Sequence, residues 1–218
     1  MQFTKSILIA AVAVLAPIAG HAATITSNPT LSVDGLNFGS FSCTLSMGGR
    51  AANPSDCGQI NVNTITSPAN GIQISSGFSA QGKSFDDAVI DYHVTSATGI
   101  SSIGLDFNGF FEGYGVSSVT ENVYSGGNQV GYTKVISSDL GTNREAEINL
   151  HGVYSDLYVV KDINVAGNGG NAEASFVDQT FVQATPEPSS IALFGTGLLS
   201  AFGLLRRRSI HKSAEVKQ

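Results

Sequence analysis

The chain has 218 residues and a net charge of −6 at pH 7, but the charge is unevenly spread: Ala23 to Ala184 holds five basic and fifteen acidic residues, while three arginines stand together at 206–208. So acidic a middle segment neutralises few phosphates, which excludes nucleic acid as a partner; the charge chiefly serves solubility. Its 162 residues suffice for one domain that buries roughly 70% of its unfolded surface without a metal or cofactor.

At the start, Lys5 precedes an apolar run from Ile7 to Ile18 that only Pro17 interrupts, and Gly20-His21-Ala22 follows with small residues. This is the pattern of a signal peptide over residues 1–22, cleaved after Ala22 or Ala23, and it implies signal peptidase and the export machinery as partners. The 12-residue run falls short of the roughly 20 residues a membrane span requires.

Cys43 and Cys57 are the two cysteines of the chain. In an exported segment an even pair predicts one disulfide, and two unpaired buried thiols are the weaker alternative. Closing that 15-residue loop stabilises by about 3 kcal/mol in the chain-entropy model.

The region 23–184 shows no run of helical period, and its apolar residues alternate. Ala88, Ile90, Tyr92 and Val94 share one strand face, with Val89, Asp91, His93 and Thr95 on the other. Ile103, Leu105 and Phe107 alternate in the same way, as do Ala146, Ile148 and Leu150. Further strands are expected at Leu31–Val33, Phe38–Leu45, Ile60–Ile65, Gly71–Phe78, Val116–Tyr124, Val130–Ile136, Leu157–Val165 and Ala174–Val182, with turns at Ser125-Gly126-Gly127-Asn128 and Gly167-Asn168-Gly169-Gly170-Asn171. Short strands at this spacing predict an all-β fold, an antiparallel β-sandwich or jelly-roll-like ectodomain, with a barrel as the weaker alternative.

From Thr185 the chain reads TPEPSSIALFGTGLLSAFGLLRRRS. Pro186, Glu187 and Pro188 form a non-helical strip suited to a protease cleft. Residues 189–205 carry no charge and, at 17 residues, make a transmembrane helix of near-minimal length. Arg206, Arg207 and Arg208 act as a cytoplasmic stop, which puts the strip on the outer side and residues 209–218 in the cytoplasm. This order of strip, apolar helix and arginine cluster over 185–208 resembles the PEP-CTERM sorting signal. The resemblance implies recognition by an exosortase, transient membrane insertion, cleavage near Pro186–Pro188, and delivery from an inner-membrane intermediate to the cell surface, outer envelope or extracellular matrix. Ser209–Gln218 departs from the usual pattern, which stops soon after the basic cluster; a plain tail anchor is the bland alternative. VDGLNFGSF, DYHVTS, and KDINV followed by Phe181 also resemble ectodomains attached to such signals, which mostly lack an assigned activity.

Catalytic chemistry has little to stand on. His93 and His151 fall on polar strand faces with no nucleophile motif beside them. Asp86, Asp87 and Asp91, with Asp106 and Glu112, are the carboxylates available for glycoside hydrolysis. Asp139, Asn143 and Glu145 add oxygen ligands for calcium, but no DxDxDG loop is present, and the cysteine spacing lacks the histidines of a zinc site. With no tryptophan and scattered tyrosines, an aromatic sugar platform is not evident, and Tyr92, Phe107 and Tyr158 read as core. The expectation is therefore a non-enzymatic exported surface or matrix protein, processed by an exosortase and associated with exopolysaccharide or biofilm, with no catalytic residue, metal or cofactor. The alternatives are a carbohydrate-binding module or lectin, with or without calcium, and behind it a secreted hydrolase.

Overall fold

The structure, a computed structural model, describes residues 22–49 and 52–184. Residues 1–21 of the expected signal peptide, the sorting signal at 185–208 and the tail at 209–218 lie outside the described residues.

Thirteen strands follow in chain order among the described residues: β1 (Ala23–Thr24), β2 (Leu31–Val33), β3 (Leu36–Gly48), β4 (Ala52–Asn53), β5 (Asn61–Ile65), β6 (Gly71–Gln81), β7 (Phe85–Phe107), β8 (Phe110–Glu112), β9 (Val116–Ser125), β10 (Asn128–Ser138), β11 (Gly141–Asn143), β12 (Glu145–Ala166) and β13 (Asn171–Gln183). All pairings are antiparallel.

The strand pairs expected at 88–95 and 103–107, and at 145–151 and 157–165, each prove to be one long strand. At about 3.3 Å per residue, the 23 residues of β7 would run roughly 75 Å if straight, far beyond one domain, so the strand must fold over. It does so between Ser96, which pairs with β3, and Ile100, which pairs with β13. Its partner β12 shifts register over the matching stretch, between Asn149 and Asp156, where His151 takes φ +53°. Gly99 is required there twice over: its φ is +81°, and an added Cβ would sit 2.3 Å from Val153 Cγ1.

Because both strands bend together, they serve two layers. The first runs β2-β3-β7-β12-β9-β10-β11 through their Phe85–Ser96 and Asp156–Ala166 portions; the second runs β1-β5-β6-β13-β7-β12 through their other ends. The path ends at β1 and β11 without closing, so the fold is sandwich-like and not a barrel. Phe38 of β3 meets Phe181 of β13 across the layers at 5.4 Å between ring centroids, and Phe41 stacks on Tyr92 at 5.3 Å. Phe38 and Phe41 both point inward although three apart, because β3 bulges between Gly39 and Ser42 with Ser40 at φ +57°.

Cys43 of β3 is disulfide-bonded to Cys57, which opens a 3-10 turn at Cys57–Gln59. The bond joins the first layer to the segment leading into β5 of the second. At the other end of the domain the last strand is pinned. Gln183 Oε1 accepts hydrogen bonds from Ser96 Oγ (2.9 Å) and Thr98 Oγ1 (2.8 Å), Gln183 Nε2 donates to Asp34 O (2.5 Å), and Ala184 N donates to Gly99 O (2.9 Å).

The interior also holds charge. Lys161 of β12 and Glu121 of β9 are direct cross-strand partners, both fully buried. Lys161 Nζ donates to Glu121 Oε2 and, across the layers, to Gln179 Oε1 of β13, whose Nε2 donates to Gly104 O at 2.9 Å. Burial pulls the Lys161 ammonium down from its ordinary pKa, and the Glu121 charge opposes this. The Tyr92 phenol is pushed well above its usual range by burial and then by Glu121. Such a pair owes its place to mutual satisfaction, since either member alone would be an uncompensated buried charge. Lys161→Met is expected to destabilise the fold by about 3–5 kcal/mol in urea denaturation, whereas Lys161→Met with Glu121→Leu should recover most of that loss; equal losses in the two variants would contradict this account.

Asp86 lies on the inward phase of β7, fully buried, with no side-chain hydrogen-bond partner for either carboxylate oxygen. Burial raises its pKa from 3.8 to about 6, offset in part by the Asp87 N–H and reinforced by the Asp87 charge. The native state therefore binds this proton more tightly than the unfolded chain, so the contribution to stability is present below about pH 4 and is lost as pH rises through about 6. Asp86→Asn should flatten that decline and raise the thermal midpoint at pH 7; midpoints that track the wild type at pH 4 through 7 would show that Asp86 does not ionise inside the fold.

Candidate functional site

The carboxylates singled out in the sequence do not gather into one cluster, although Asp106 and Glu145 are brought side by side. Asp86 faces the core, while Asp87 and Asp91 face outward on the same strand. Asp87 stands against Asp162 of β12, whose pKa is raised to about 6 by burial and then by the hydrogen bond and charge of Asp87, with Lys134 opposing. Two carboxyl groups in hydrogen-bond contact leave no room for a glycosidic bond between them, for which a separation of about 5 Å or more is needed.

Asp106 lies on the outer face of the second layer, where the register sets it directly between Asp178 of β13 and Glu145 of β12. Burial raises its pKa, and Glu145 and Asp178 add to the rise. Asp178 is raised by burial too, and its Oδ1 accepts from Gln73 Nε2 at 2.8 Å. These groups line a shallow cavity of about 340 Å³ with Glu147, Thr180 and Pro68. Glu112 is separate, on β8, accepting from Asn171 Nδ2 at 2.9 Å. Of the calcium candidates, Asp139 is exposed in the turn between β10 and β11, Asn143 is on β11 and Glu145 begins β12. Among the described residues no group of three or more His, Cys, Asp or Glu side chains is placed to hold a metal ion.

The two histidines part company. His151 is exposed at the bend of β12, its backbone N–H bonded to Asn149 Oδ1 at 3.0 Å. His93 is part of a constructed surface. His93 of β7, Tyr158 of β12 and Tyr124 of β9 are successive cross-strand partners on the outer face of the first layer. Their rings form a row, with His93 to Tyr158 centroids 5.1 Å apart and Tyr158 to Tyr124 centroids 6.2 Å apart, each pair tilted by 41°. Tyr158, expected in the core, is thus half-buried on the outside: it shares parity with Val160, Asp162 and Asn164, not with buried Leu157, Val159 and Lys161. Tyr92 and Phe107 are in the core as expected.

Polar neighbours hold the row in place. His93 Nδ1 lies 3.1 Å from Asp156 Oδ1, so Nδ1–H donates to the carboxylate. The Tyr158 phenol is kept neutral, above its ordinary range, by burial and then by its hydrogen bond to Asp91, and Asp91 Oδ1 also accepts from Ser42 Oγ at 2.5 Å. Ser125 Oγ donates to Asp156 O at 3.0 Å. The turn joining β9 and β10 places Gly126 and Gly127 at φ +55° and +81°, and a Cβ on either would meet nothing within 4 Å. Rings, Asp156 and turn line an open groove of about 510 Å³. Chemically it offers flat apolar ring faces bordered by hydrogen-bond acceptors. Although His93 is oriented by a carboxylate as a general base would be, it makes no hydrogen bond to a hydroxyl or thiol among the described residues.

Comparison with solved structures finds loose likenesses. One is to TmCBM61 in complex with β-1,4-galactotriose, at 14% identity and a TM-score of 0.36 over 65% of this chain and 88% of that one. Another is to the family 11 carbohydrate-binding module from Clostridium thermocellum in complex with a β-1,3-1,4-mixed-linked tetrasaccharide, at 8% identity and a TM-score of 0.28 over 66% and 91%. A third is to the enzymatically active domain of bacteriophage CBA120 tailspike protein 4, at 13% identity and a TM-score of 0.34 over 64% and 19%. The sandwich architecture described above rests on the chain's own strand register. No curated protein matches the chain by sequence. A family model for the PEP-CTERM protein-sorting motif does match, at residues 184–208, the stretch that begins one residue after β13 ends. The chain therefore carries a PEP-CTERM protein-sorting motif at residues 184–208.

Proposed function

We propose that this is an exported protein of the cell surface or extracellular matrix, processed by an exosortase, whose sandwich domain has a structural or interaction role and no catalysis of its own. The observation that carries this is the position of the motif: it opens at residue 184, immediately after Gln183 closes the last strand. A cut at the Pro186-Glu187-Pro188 strip would release every strand of the domain intact, and the apolar segment 189–205 with Arg206, Arg207 and Arg208 would stay behind in the membrane. At the other end, removal of residues 1–22 leaves Ala23 free to keep its pairing with Val62. The Cys43–Cys57 bond fits an oxidising compartment. Exopolysaccharide is the partner such a matrix role implies. The second reading, a carbohydrate-binding module or lectin, is favoured by the ring row and groove of His93, Tyr158 and Tyr124.

Intact-mass analysis of the protein from its native cells should find a species lacking residues 1–22 and ending near Pro186–Pro188, while cells deleted for the exosortase should retain residues 189–205. A mature wild-type species that still carries Ile191–Leu205 would overturn the processing claim.

A further inference from the structure

We propose that the groove over His93, Tyr158 and Tyr124 binds uncharged hexopyranose units of an oligosaccharide or polysaccharide, the sugar rings lying against the tyrosine faces and their hydroxyls donating to Asp156. The inference rests on the non-enzymatic interaction role above and names the ligand class for it.

Four features of the groove lead to this chemistry. The three rings come from three adjacent strands at directly paired positions, so the sheet itself sets their spacing, and a ligand with repeated flat units can lie along the row. Two of the three rings are held before any ligand arrives, His93 by Asp156 and Tyr158 by Asp91, which is itself held by Ser42; their side chains have little freedom left to lose on binding. The rim is low, since Gly126 and Gly127 project nothing into the space above them, and the groove is open enough for a chain to pass across it. Its size, about 510 Å³, lies within the usual range of roughly 300–1,000 Å³ for ligand sites.

Charge then selects among the ligands that stack on aromatic rings. No lysine or arginine lines the groove, and Asp156 does. The domain around it is acidic. Nucleobases stack equally well on tyrosine, but their phosphates need a basic track, and uronates and sulfated sugars are repelled on the same ground. A neutral pyranose presents an apolar C–H face to the rings and a rim of hydroxyl donors, and a hydroxyl bonded to a carboxylate is the stronger, charge-assisted kind of hydrogen bond.

The test is calorimetric titration of the full-length protein, isolated from membranes in a detergent without a sugar headgroup, with cellotetraose, β-1,4-galactotetraose, β-1,4-mannotetraose and chitotetraose, and with polygalacturonate as the anionic counterpart. At least one neutral tetraose should bind and polygalacturonate should not. Tyr158→Ala should weaken that binding by about tenfold or more, the loss of an aromatic anchor, while Tyr158→Phe keeps most of it. Asp156→Asn, a change on the exposed rim that keeps an acceptor oxygen but removes its charge, should weaken it by about fivefold, the difference between a charged and a neutral acceptor. No binding by any of the four tetraoses, affinity unmoved by both Tyr158→Ala and Asp156→Asn, or preferential binding of polygalacturonate would each overturn the proposal. Failure here would leave the mass of the processed chain as it is, and shortening of a tetraose during the titration would instead sink the non-enzymatic role.

Discussion

The pairing of β7 with β12 continues through a common bend, and most of the domain is arranged around that pair. Each strand has one end in each layer, so the layers are joined by covalent chain as well as by packing. The cost is a local disruption of the ladder at the corner, absorbed by Gly99 and by the residues between Asn149 and Asp156. The bend also decides which side chains share a face. The first-layer portions of β7 and β12 present His93 and Tyr158 side by side, and the second-layer portions align Asp106 with Glu145. One strand pair thus positions both an aromatic outer face and an acidic one.

The buried Lys161–Glu121–Gln179 set adds a different kind of constraint. Hydrophobic contacts such as Phe38 against Phe181 tolerate small shifts between layers, because burial is non-directional. Hydrogen bonds from one ammonium to groups on β9 and β13 tolerate far less. A one-residue slip of β12 would turn Lys161 to the outer face and Asp162 inward, leaving Glu121 and Gln179 without their donor. The charged core is therefore a register marker as well as a contact between layers.

Strand parity made much of this legible in the sequence. The inward set Ala88, Ile90, Tyr92 and Val94, the ends of β2, and the turn at Ser125–Asn128 all follow from alternation and turn chemistry. The disulfide follows from cysteine number and compartment. Parity also held signals that residue type obscured. Lys161, Glu121 and Gln179 stand in phase with Val159, Val119 and Val177, which marks them as inward, yet long polar side chains are expected at the surface. Tyr158 stands in the outward phase, yet tyrosine in a strand is expected to be core. The continuity of β7 was not legible, because the stretch from Ser96 to Ile100 contains a single glycine at the bend and reads as an interruption. β1, β4, β8 and β11 span two or three residues each, and none alternates as Leu31-Ser32-Val33 of β2 does. The ring row depends on which strands are neighbours, and that information is absent from any one segment.

Gln183 would have a consequence for any enzyme that cuts next to it. Fastened by Ser96, Thr98 and Asp34, it gives the folded body no slack at its exit point. Five residues from Gln183 reach Pro188, and at most about 3.6 Å per residue that is a tether of roughly 18 Å. A protease cutting at the strip would have to work within that distance of the turn at Asp34–Gly35 and the corner at Gly99. Clearance there is set by how tightly β13 is laced to the sheet, so under the proposed processing the domain's own folding would determine the enzyme's working distance.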